Sequence, residues 1–456
     1  MSDPNYVPRA ERVAAGKDLR GSVPRASHRE WTAPADRRDP VDVLIESNVG
    51  RLPELIPIRF GRMLVSPFTF FRGAAAVMAA DLAKTPATGL RVQACGDCHL
   101  LNFGVFATPE RHLVFDINDF DETLPAPWEW DIKRLATSFV LASRDNRFDA
   151  DDSRDSAVTV VRAYRERLAE LAEMPALDVW YAKIDAMKWI EETADPELRA
   201  LREKRVKKAQ SHTAIDHEYP KLVEETGGRP RIKDDPPYIS HRADTASDEF
   251  QQMVAEAFQN YRDTLPHDRR VLYDRFQCVD VAAKVVGVGS VGTVCGVALL
   301  LAEVVDPLFL QFKQANASVL EPYAGKSLYE NHGQRVVVGQ RLMQSASDIF
   351  LGWTTGRFGR SFYLRQLRDA KVKPMVEIFK PKHMAEFAGF CGQALAHAHA
   401  RSGDAATLSG YLGNANNFDE AVADFAVAYA DQTEQDHAKL ADAVRSGKIE
   451  AVSDNR

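Results

Sequence analysis

The densest group of polar residues that could do chemistry in this 456-residue chain is the segment GDCHLLN, residues 96–102. Asp97 and Asn102 lie five positions apart in it, and Asp116 follows the short apolar run at residues 113–115. Phosphoryl transfer needs one carboxylate that orients the attacking hydroxyl, together with an Asn and a second carboxylate that hold metal ions. The segment therefore favours phosphoryl-transfer chemistry.

Two other interpretations of these residues stay open. Asp and Asn favour turns because they bond their own backbone, which would explain the composition of residues 96–122 although not its order. A carboxylate-based metal hydrolase is the second alternative. A calcium loop is not indicated, because residues 116–122 lack the frame with Gly at the sixth and Glu at the twelfth position.

The order Gly-Asp-x-His-x-x-Asn, then a strand and an Asp, resembles the catalytic segment of aminoglycoside phosphotransferases and choline kinases. The resemblance implies that Asp97 is the catalytic base, that Asn102 and Asp116 hold magnesium, and that His99 braces the loop. A His commonly precedes Gly-Asp in those enzymes, whereas Cys95 stands here, which leaves open how the loop is held.

The segment PWEWDIKRL, residues 127–135, resembles the part of those enzymes in which a helix-borne Asp supports the catalytic loop. Asp131 matches that Asp. We therefore expect Asp131, and Arg134 of the same segment, to have supporting rather than catalytic roles.

A glycine motif, GVGSVGT, lies between two strand-like runs. A dinucleotide-binding version of G-x-G-x-x-G would open a helix, yet residues 294–301 read as a strand, as in a kinase hairpin over ATP phosphates. We predict that these residues contact ATP: Gly287, Gly289, Ser290, Gly292 and Thr293.

Lys313 ends an apolar strand at residues 308–312 and resembles the kinase Lys that binds the α- and β-phosphates. Its expected partner is Glu321 or Glu330, although the spacing from Ser318 to Glu321 also fits a helix capping box. Residues 335–343 and 362–367 are predicted as the last strands of the small lobe, with Gln366, followed by Leu367 and Arg368, near the adenine.

The helix predicted at residues 381–400 resembles the kinase helix that leads into the catalytic loop, but no such loop follows it. The fold class predicted is therefore α+β, a kinase-like fold of two lobes that is circularly permuted. The predicted divisions are a polar arm at 1–43 that is either flexible or loosely wrapped on the surface, a catalytic lobe at 44–270 with a charged insertion at 204–247, a sheet lobe at 271–370 and completing helices at 371–456.

A series of motifs from residue 70 to residue 404, including FFRG, CGDCHLLNFG, FDINDFDE and GQRLMQSASDIFLGW, resembles a bacterial family catalogued as domain of unknown function 2252. This resemblance covers about residues 45–440 and names a family without a function. The chemistry expected therefore depends on the order and spacing of the motifs.

The composition bounds the class of protein. Apolar residues make up 45% of the chain and its formal charge is −7, which argues against bulk attraction to nucleic acid or anionic lipid. The first thirty residues lack a secretory signal, no apolar run reaches membrane-spanning length, and five irregularly spaced cysteines suit a reducing cytoplasm.

The sequence thus predicts a cytoplasmic, ATP- and magnesium-dependent phosphotransferase that acts on a hydroxyl group, and the resemblance of its Gly-Asp-x-His segment to small-molecule kinases implies a small-molecule acceptor. A nucleotide-binding protein without catalysis, a metal hydrolase, and transfer of a nucleotidyl group are the alternatives that the sequence leaves open.

Overall fold

The computed structural model describes residues 7–211, 218–241, 247–285, 287–303, 306–367 and 371–453. The protein is a mixed α+β structure whose sheets are antiparallel. Its helices over the described ranges are α1 (Arg9–Ser22), α2 (Pro40–Glu46), α3 (Ile56–Met63), α4 (Pro67–Gly73), α5 (Ala75–Leu82), α6 (Trp128–Asp145), α7 (Ala150–Glu173), α8 (Ala176–Tyr181), α9 (Ala186–Glu191), α10 (Pro196–Ser211), α11 (Tyr219–Leu222), α12 (Asp248–Thr264), α13 (His267–Tyr273), α14 (Glu321–Ala324), α15 (His332–Met343), α16 (Pro381–Ser402), α17 (Ala405–Leu412) and α18 (Asn417–Arg445).

The strands form one large sheet and several small ones. They are β1 (Arg91–Ala94), β2 (Phe103–Ala107), β3 (Leu113–Ile117), β4 (Leu124–Pro127), β5 (Ile184–Asp185), β6 (Val223–Thr226), β7 (Arg229–Ile232), β8 (Ile239–Ser240), β9 (Gln277–Lys284), β10 (Cys295–Leu301), β11 (Pro307–Ala315), β12 (Gly352–Thr355) and β13 (Ser361–Gln366). The large sheet has the order β12-β13-β11-β10-β9-β8, while β1 pairs with β4, β2 with β3 and β3 with β5, and β6 with β7.

The glycine motif connects β9 to β10, so a strand and not a helix follows it, as the sequence predicted. The register places Lys313 of β11 opposite Cys295 of β10 on one side and Tyr363 of β13 on the other. Lys313 therefore lies in the middle of the sheet, next to the end of the glycine loop.

The prediction of a strand at residues 335–343 is wrong, because this segment forms α15. Asn331 caps the helix by accepting a hydrogen bond from the backbone N–H of Gln334. Val336, Val337 and Met343 are buried along one side, which is the spacing of a helix. The run of three valines from residue 336 has high β propensity, but its tertiary packing decides the outcome.

The helical core lies around α6, whose residues from Trp128 to Ser143 are all buried. Helix α7 packs on α6 and α16, and α18 covers α6 and α7. The helices predicted at residues 381–400 and 418–444 are confirmed as α16 and α18. Because only the short strand β4 separates α6 from the polar loops at residues 95–123, this core fixes their position.

The sequence predicts a flexible arm or a loose wrap on the surface for residues 1–43; in the part described, α1 packs against α17, which fits a wrap and not a free arm. Residues 1–6 lie outside the described ranges. The two helices approach closely, because a Cβ on Gly410 would lie 2.1 Å from the carbonyl oxygen of Val13. Arg20 donates from Nε to the carbonyl of Tyr411 at 2.9 Å. A polar helix held by such contacts gives no apolar periodicity in the sequence.

The predicted charged insertion at residues 204–247 contains the end of α10, then α11 and the strands β6, β7 and β8. Its residues 212–217 and 242–246 lie outside the described ranges. Across the residues that are described, we find no helix that combines the length and the apolar character needed to traverse a bilayer.

Candidate active site

A cavity of about 240 Å³ lies between the glycine loop and the loops before α6. It brings together groups from distant parts of the chain. The predicted site residues that line it are Asp97, His99, Asn102, Gly287, Gly289, Ser290 and Thr293. The predicted residues outside its lining are Asp116, Asp131, Arg134, Gly292, Lys313, Glu321 and Gln366.

The loop that carries Asp97 is held from behind by α6. Asp131 accepts hydrogen bonds from the backbone N–H groups of Cys95 at 2.6 Å and Gly96 at 3.0 Å, and its Oδ2 lies 3.2 Å from His399 Nε2. Gly96 has φ +82°, and a Cβ there would lie 2.4 Å from the carbonyl oxygen of Glu122. The turn therefore requires glycine and a buried acceptor, and α6 supplies the acceptor.

Asp97 is bound on one side and open on the other. Arg134 donates from Nε and Nη2 to Asp97 Oδ1 at 2.8 and 2.5 Å, and 22% of the Asp97 side chain stays exposed. Burial raises the pKa of Asp97, and the charge of Arg134 opposes this effect. Asn102 donates to the Asp97 carbonyl at 2.6 Å. These contacts orient the carboxylate, and both hydrogen bonds from Arg134 go to Oδ1 and leave Oδ2 without them.

His99 is buried beside Asp97 but does not bind it. Its Nε2 lies 4.0 Å from Asp97 Oδ2, and its Nδ1 has no hydrogen-bond partner among the described residues. Burial lowers the pKa of His99 well below its usual value, with the charges of Arg72 and Arg134 acting in the same direction. His99 is therefore neutral, and the bracing of the loop comes from Asp131 and Arg134.

Asp116 is turned away from the cavity. Its Oδ2 accepts hydrogen bonds from the backbone N–H of Ser345 at 2.9 Å and from the Ser345 hydroxyl at 3.0 Å, and its Oδ1 accepts from Ile117 at 2.8 Å. With both oxygens occupied inside the protein, this geometry does not favour the predicted role of Asp116 as a metal ligand.

Asp119, and not Asp116, lines the cavity at which the sequence predicted a carboxylate that holds a metal ion. The backbone N–H of Asn118 bonds the carbonyl of Asn102 at 2.7 Å, which sets the next residue, Asp119, beside Asn102 at the cavity. Asp119 Oδ1 is buried and has no hydrogen-bond partner in the described part of the chain. A buried carboxylate oxygen that accepts no hydrogen bond and lies next to an Asn is suited to a cation.

Lys313 pairs with Asp121 rather than with a helix Glu. Its Nζ lies 2.7 Å from Asp121 Oδ2 and 3.7 Å from Asp119 Oδ1. Asp121 also accepts from the hydroxyls of Tyr363 at 2.6 Å and Ser290 at 3.0 Å. Burial opposes the ionisation of Asp121, but Lys313 and Tyr363 together lower its pKa to about 2. Asp121 therefore connects the Lys of the sheet to the glycine loop.

The expected Lys–Glu pair is absent from the described contacts of Lys313. Glu321 instead accepts from the backbone N–H of Ser318 at 3.3 Å, which is one of the two hydrogen bonds of a capping box, while the Ser318 hydroxyl donates to the carbonyl of Glu122. Arg335 of α15 faces the site and donates to the carbonyls of Asp121 at 2.8 Å and Thr123 at 2.6 Å. Because α15 presents Arg335 and not a Glu toward the site, Lys313 has Asp121 as its partner.

The glycine loop is fixed against the segment that precedes α3. The N–H of Leu52 bonds the carbonyl of Gly292 at 2.7 Å, and Arg51 Nη1 donates to the carbonyl of Val291 at 2.5 Å. Val288 is buried in a cluster that includes Phe70. The loop therefore covers the cavity from one side.

Gln366 lies outside the cavity lining, and its N–H bonds Asp348 Oδ2. Arg368, predicted next to it, lies outside the described residues. The lining residues that the sequence analysis missed include seven charged ones, of which four belong to segments it had noted, namely FFRG, NDFDE and the last predicted strand, while Arg51, Arg59 and Lys371 lie outside those segments. The seven are Arg51, Arg59, Arg72, Asp119, Asp121, Arg365 and Lys371.

The side chains that line the cavity fit a cation that has few protein ligands. No cluster of three or more His, Cys, Asp or Glu side chains suited to a metal occurs among the described residues. Magnesium in phosphoryl-transfer sites is usually held by only one or two carboxylates together with substrate phosphates and water. Asn102 and Asp119 match that requirement, and the basic groups of the cavity match a polyphosphate.

A family model described as "Uncharacterized protein conserved in bacteria (DUF2252)" matches residues 51–443 of the chain. The chain belongs to this family, as the motifs of the sequence indicated. Neither the curated proteins nor the solved structures contain a match to the chain.

Proposed function

We propose that this protein is an ATP- and magnesium-dependent phosphotransferase that transfers the γ-phosphoryl group to a hydroxyl of a small molecule. The observation that carries the proposal is the convergence of two sets of groups on one cavity. Asp97, Asn102 and Asp119 come from the loops before α6, and the glycine loop, with Lys313 bound through Asp121, comes from the large sheet.

The order of parts in the large sheet supports a kinase-like small lobe. The glycine loop joins β9 to β10, Lys313 lies on the next strand β11, and α15 follows before β12 and β13. Protein kinases carry a glycine loop, a strand-borne Lys and a helix in this order, and the catalytic loop follows them. Here the loop with Asp97 precedes them, so the proposed relationship to kinases is a circular permutation.

The support of the catalytic loop also fits this proposal. Asp131 of α6 binds the N–H groups of the turn at Gly96, and His399 near the end of α16 contacts Asp131. Helix α16 thus ends at the loop that a kinase helix would lead into, although the chain continues elsewhere. This arrangement is compatible with circular permutation, because a permuted chain keeps the contacts between its helices and strands while their order in the sequence changes.

In the proposed reaction, Asp97 orients the acceptor hydroxyl through Oδ2 and receives its proton as the oxygen forms a bond to the γ-phosphorus. The bond between that phosphorus and the bridging oxygen breaks, and ADP leaves. Arg134 holds Asp97 in position by binding Oδ1. Magnesium, when bound, would neutralise phosphate charge, with Asn102 and Asp119 as its protein ligands.

Lys313 has a different position from the other groups. It lies outside the cavity lining and is joined to it by Asp121 and Asp119. We expect Lys313 to hold these carboxylates and to turn toward the phosphates when a nucleotide binds. Ser290 belongs to the glycine loop and its hydroxyl donates to Asp121, so we expect this hydrogen bond to change as well when a nucleotide binds.

The test is ADP formation from ATP with a panel of hydroxyl compounds, measured with and without magnesium. We expect magnesium-dependent turnover in the wild type and its loss in Asp97→Asn. Asp178→Asn, an exposed residue away from the cavity, is the matched control. Hydrolysis of phosphate esters without ATP, dependent on Asp119, would instead support the metal hydrolase.

A further inference from the structure

Three arginines, which we call the arginine wall, line one side of the cavity: Arg51, Arg59 and Arg72. They lie on and before helices α3 and α4. Arg51 donates to the carbonyls of Ser47 at 3.0 Å and Val291 at 2.5 Å. Arg59 likewise bonds only neutral groups, among them the Asn48 side chain at 2.5 Å.

Arg72 has even fewer contacts. Its Nε is buried without a hydrogen-bond partner, and its guanidinium carbon lies 6.0 Å from the centre of the Phe68 ring. Among the described residues, none of the three arginines of the wall has a carboxylate within ion-pair distance. The wall therefore brings positive charge to the cavity that the protein itself does not neutralise.

Buried charge without a counter-ion is unfavourable, because desolvation is not repaid by an ion pair. Burial lowers the pKa of Arg51, Arg59 and Arg72, which agrees with this geometry. A bound anion would remove the imbalance. The arrangement is thus expected of a binding site for anionic ligands more than of a structural core.

The two ends of the wall face different groups. Arg51 donates to the glycine loop, and the nearby charges of Glu122 and Asp121 partly oppose the lowering of its pKa by burial, so we assign Arg51 to the nucleotide end of the wall. The charge of Asp97 acts to raise the pKa of Arg72, but Asp97 forms its ion pair with Arg134. The positive charge of Arg72 is therefore available beside the proposed catalytic base.

The same wall limits the size of the acceptor. A Cβ on Gly289 would lie 3.3 Å from the carbonyl oxygen of Arg72, so the glycine loop rests directly on α4. Val288 is buried in the cluster with Phe70, which closes this side further. A bulky acceptor would have to separate these elements to reach Asp97.

We infer that the acceptor is a small hydroxylated anion, a carboxylate or a phosphate ester, whose anionic group is bound by Arg72 while its hydroxyl faces Asp97. This inference rests on the proposed function and specifies its substrate class. The planar guanidinium suits the recognition, because it can bind two oxygens of either anion at once.

The experiment measures thermal stability in the presence of saturating magnesium and a non-hydrolysable ATP analogue, which fills the nucleotide end. Inorganic phosphate, glycerol 3-phosphate and glycerate are then titrated, with glycerol as the neutral probe. A ligand of the folded state raises the melting temperature by mass action. The proteins are the wild type, Arg72→Gln, and Arg275→Gln, whose arginine is exposed and outside the cavity lining.

We expect at least one anion to raise the melting temperature of the wild type and of Arg275→Gln, and to bind Arg72→Gln about tenfold or more weakly. Glycerol should shift none of them. The stabilisation by the analogue itself should persist in Arg72→Gln, which shows that the variant is folded and binds nucleotide.

Equal anion shifts in the wild type and Arg72→Gln would overturn the inference, and so would the absence of a shift with all three anions. In both cases a persistent shift by the analogue would leave the proposed function standing. If the analogue does not stabilise the well-folded wild type, the proposed function fails and the inference fails with it.

Discussion

The replacement of Asp131 by Ala removes the acceptor that holds the loop of Asp97. The N–H groups of Cys95 and Gly96 lose their partner inside the protein, at sites where Cys95 is 1% exposed. Each buried N–H left without a partner costs about 1–3 kcal/mol, so we expect a loss of about 2–6 kcal/mol in the free energy of unfolding. A typical domain has only about 5–15 kcal/mol in total, so the effect is large.

The assay is urea denaturation followed by circular dichroism, with the free energy taken from linear extrapolation. Asp131→Asn keeps one acceptor oxygen and should lose about 1–3 kcal/mol, less than Asp131→Ala. Asp178→Ala, an exposed position on α8, should stay within about 0.5 kcal/mol of the wild type. A loss in Asp131→Ala no larger than that of this control would refute the bracing role.

Three further predictions follow from named contacts. Gly410→Ala should weaken the docking of α1 by about 1–3 kcal/mol in urea denaturation, because its Cβ would meet Val13, whereas Gly21→Ala has open space and should be neutral or slightly stabilising. Glu122 has its pKa raised by burial to about 6 from 4.5, so its contribution to stability is present below pH 4.5 and disappears as the pH rises through 6. Glu122→Gln should therefore be up to about 2 kcal/mol more stable than the wild type at pH 7, with no such gain at pH 4. If the variant and the wild type have the same free energy of unfolding at both pH values, this prediction is contradicted. Since burial raises the pKa of Asp97, turnover should fall on acidification at a higher pH than an ordinary Asp would give, and an unshifted acid limb would argue against Asp97 as the base.

The sequence predicted the parts of the fold that local patterns determine. The amphipathic helices α16 and α18 were found from their apolar periodicity, and the strand after the glycine motif from its continuous apolar run. It failed for α15, where three adjacent valines suggested a strand, and for α1, a polar helix that depends on contacts with α17. Local propensity cannot report contacts between segments that are hundreds of residues apart.

The candidate site shows the same division. Asp97 and Asn102, which were chosen from their spacing, line one cavity, and Asp131 of the segment at residues 127–135 bonds the turn behind that loop. Asp116 and Asp119 both follow the apolar run, and only the strand register shows that Asp116 points to Ser345. The sequence offered no means to choose between them.

The partner of Lys313 could not be predicted either, because the choice depends on three-dimensional packing. Glu321 and Glu330 were nearer in the sequence, but Arg335 occupies the helix face toward the site and Asp121 approaches from a different part of the chain. The motifs of the sequence indicated the family to which the chain belongs. They did not indicate the arginine wall, because its three arginines form no sequence motif and come together only in the structure.

The most direct test of the central claim compares Asp119→Asn with Asp116→Asn, two isosteric changes that differ in whether the carboxylate faces the cavity. The measurement is the melting temperature of each protein with ATP, with and without magnesium, relative to its own ligand-free value. The account predicts a magnesium-dependent increase in the wild type and in Asp116→Asn, and its loss in Asp119→Asn. No magnesium-dependent increase in the wild type, or an increase that Asp119→Asn retains, would contradict the account.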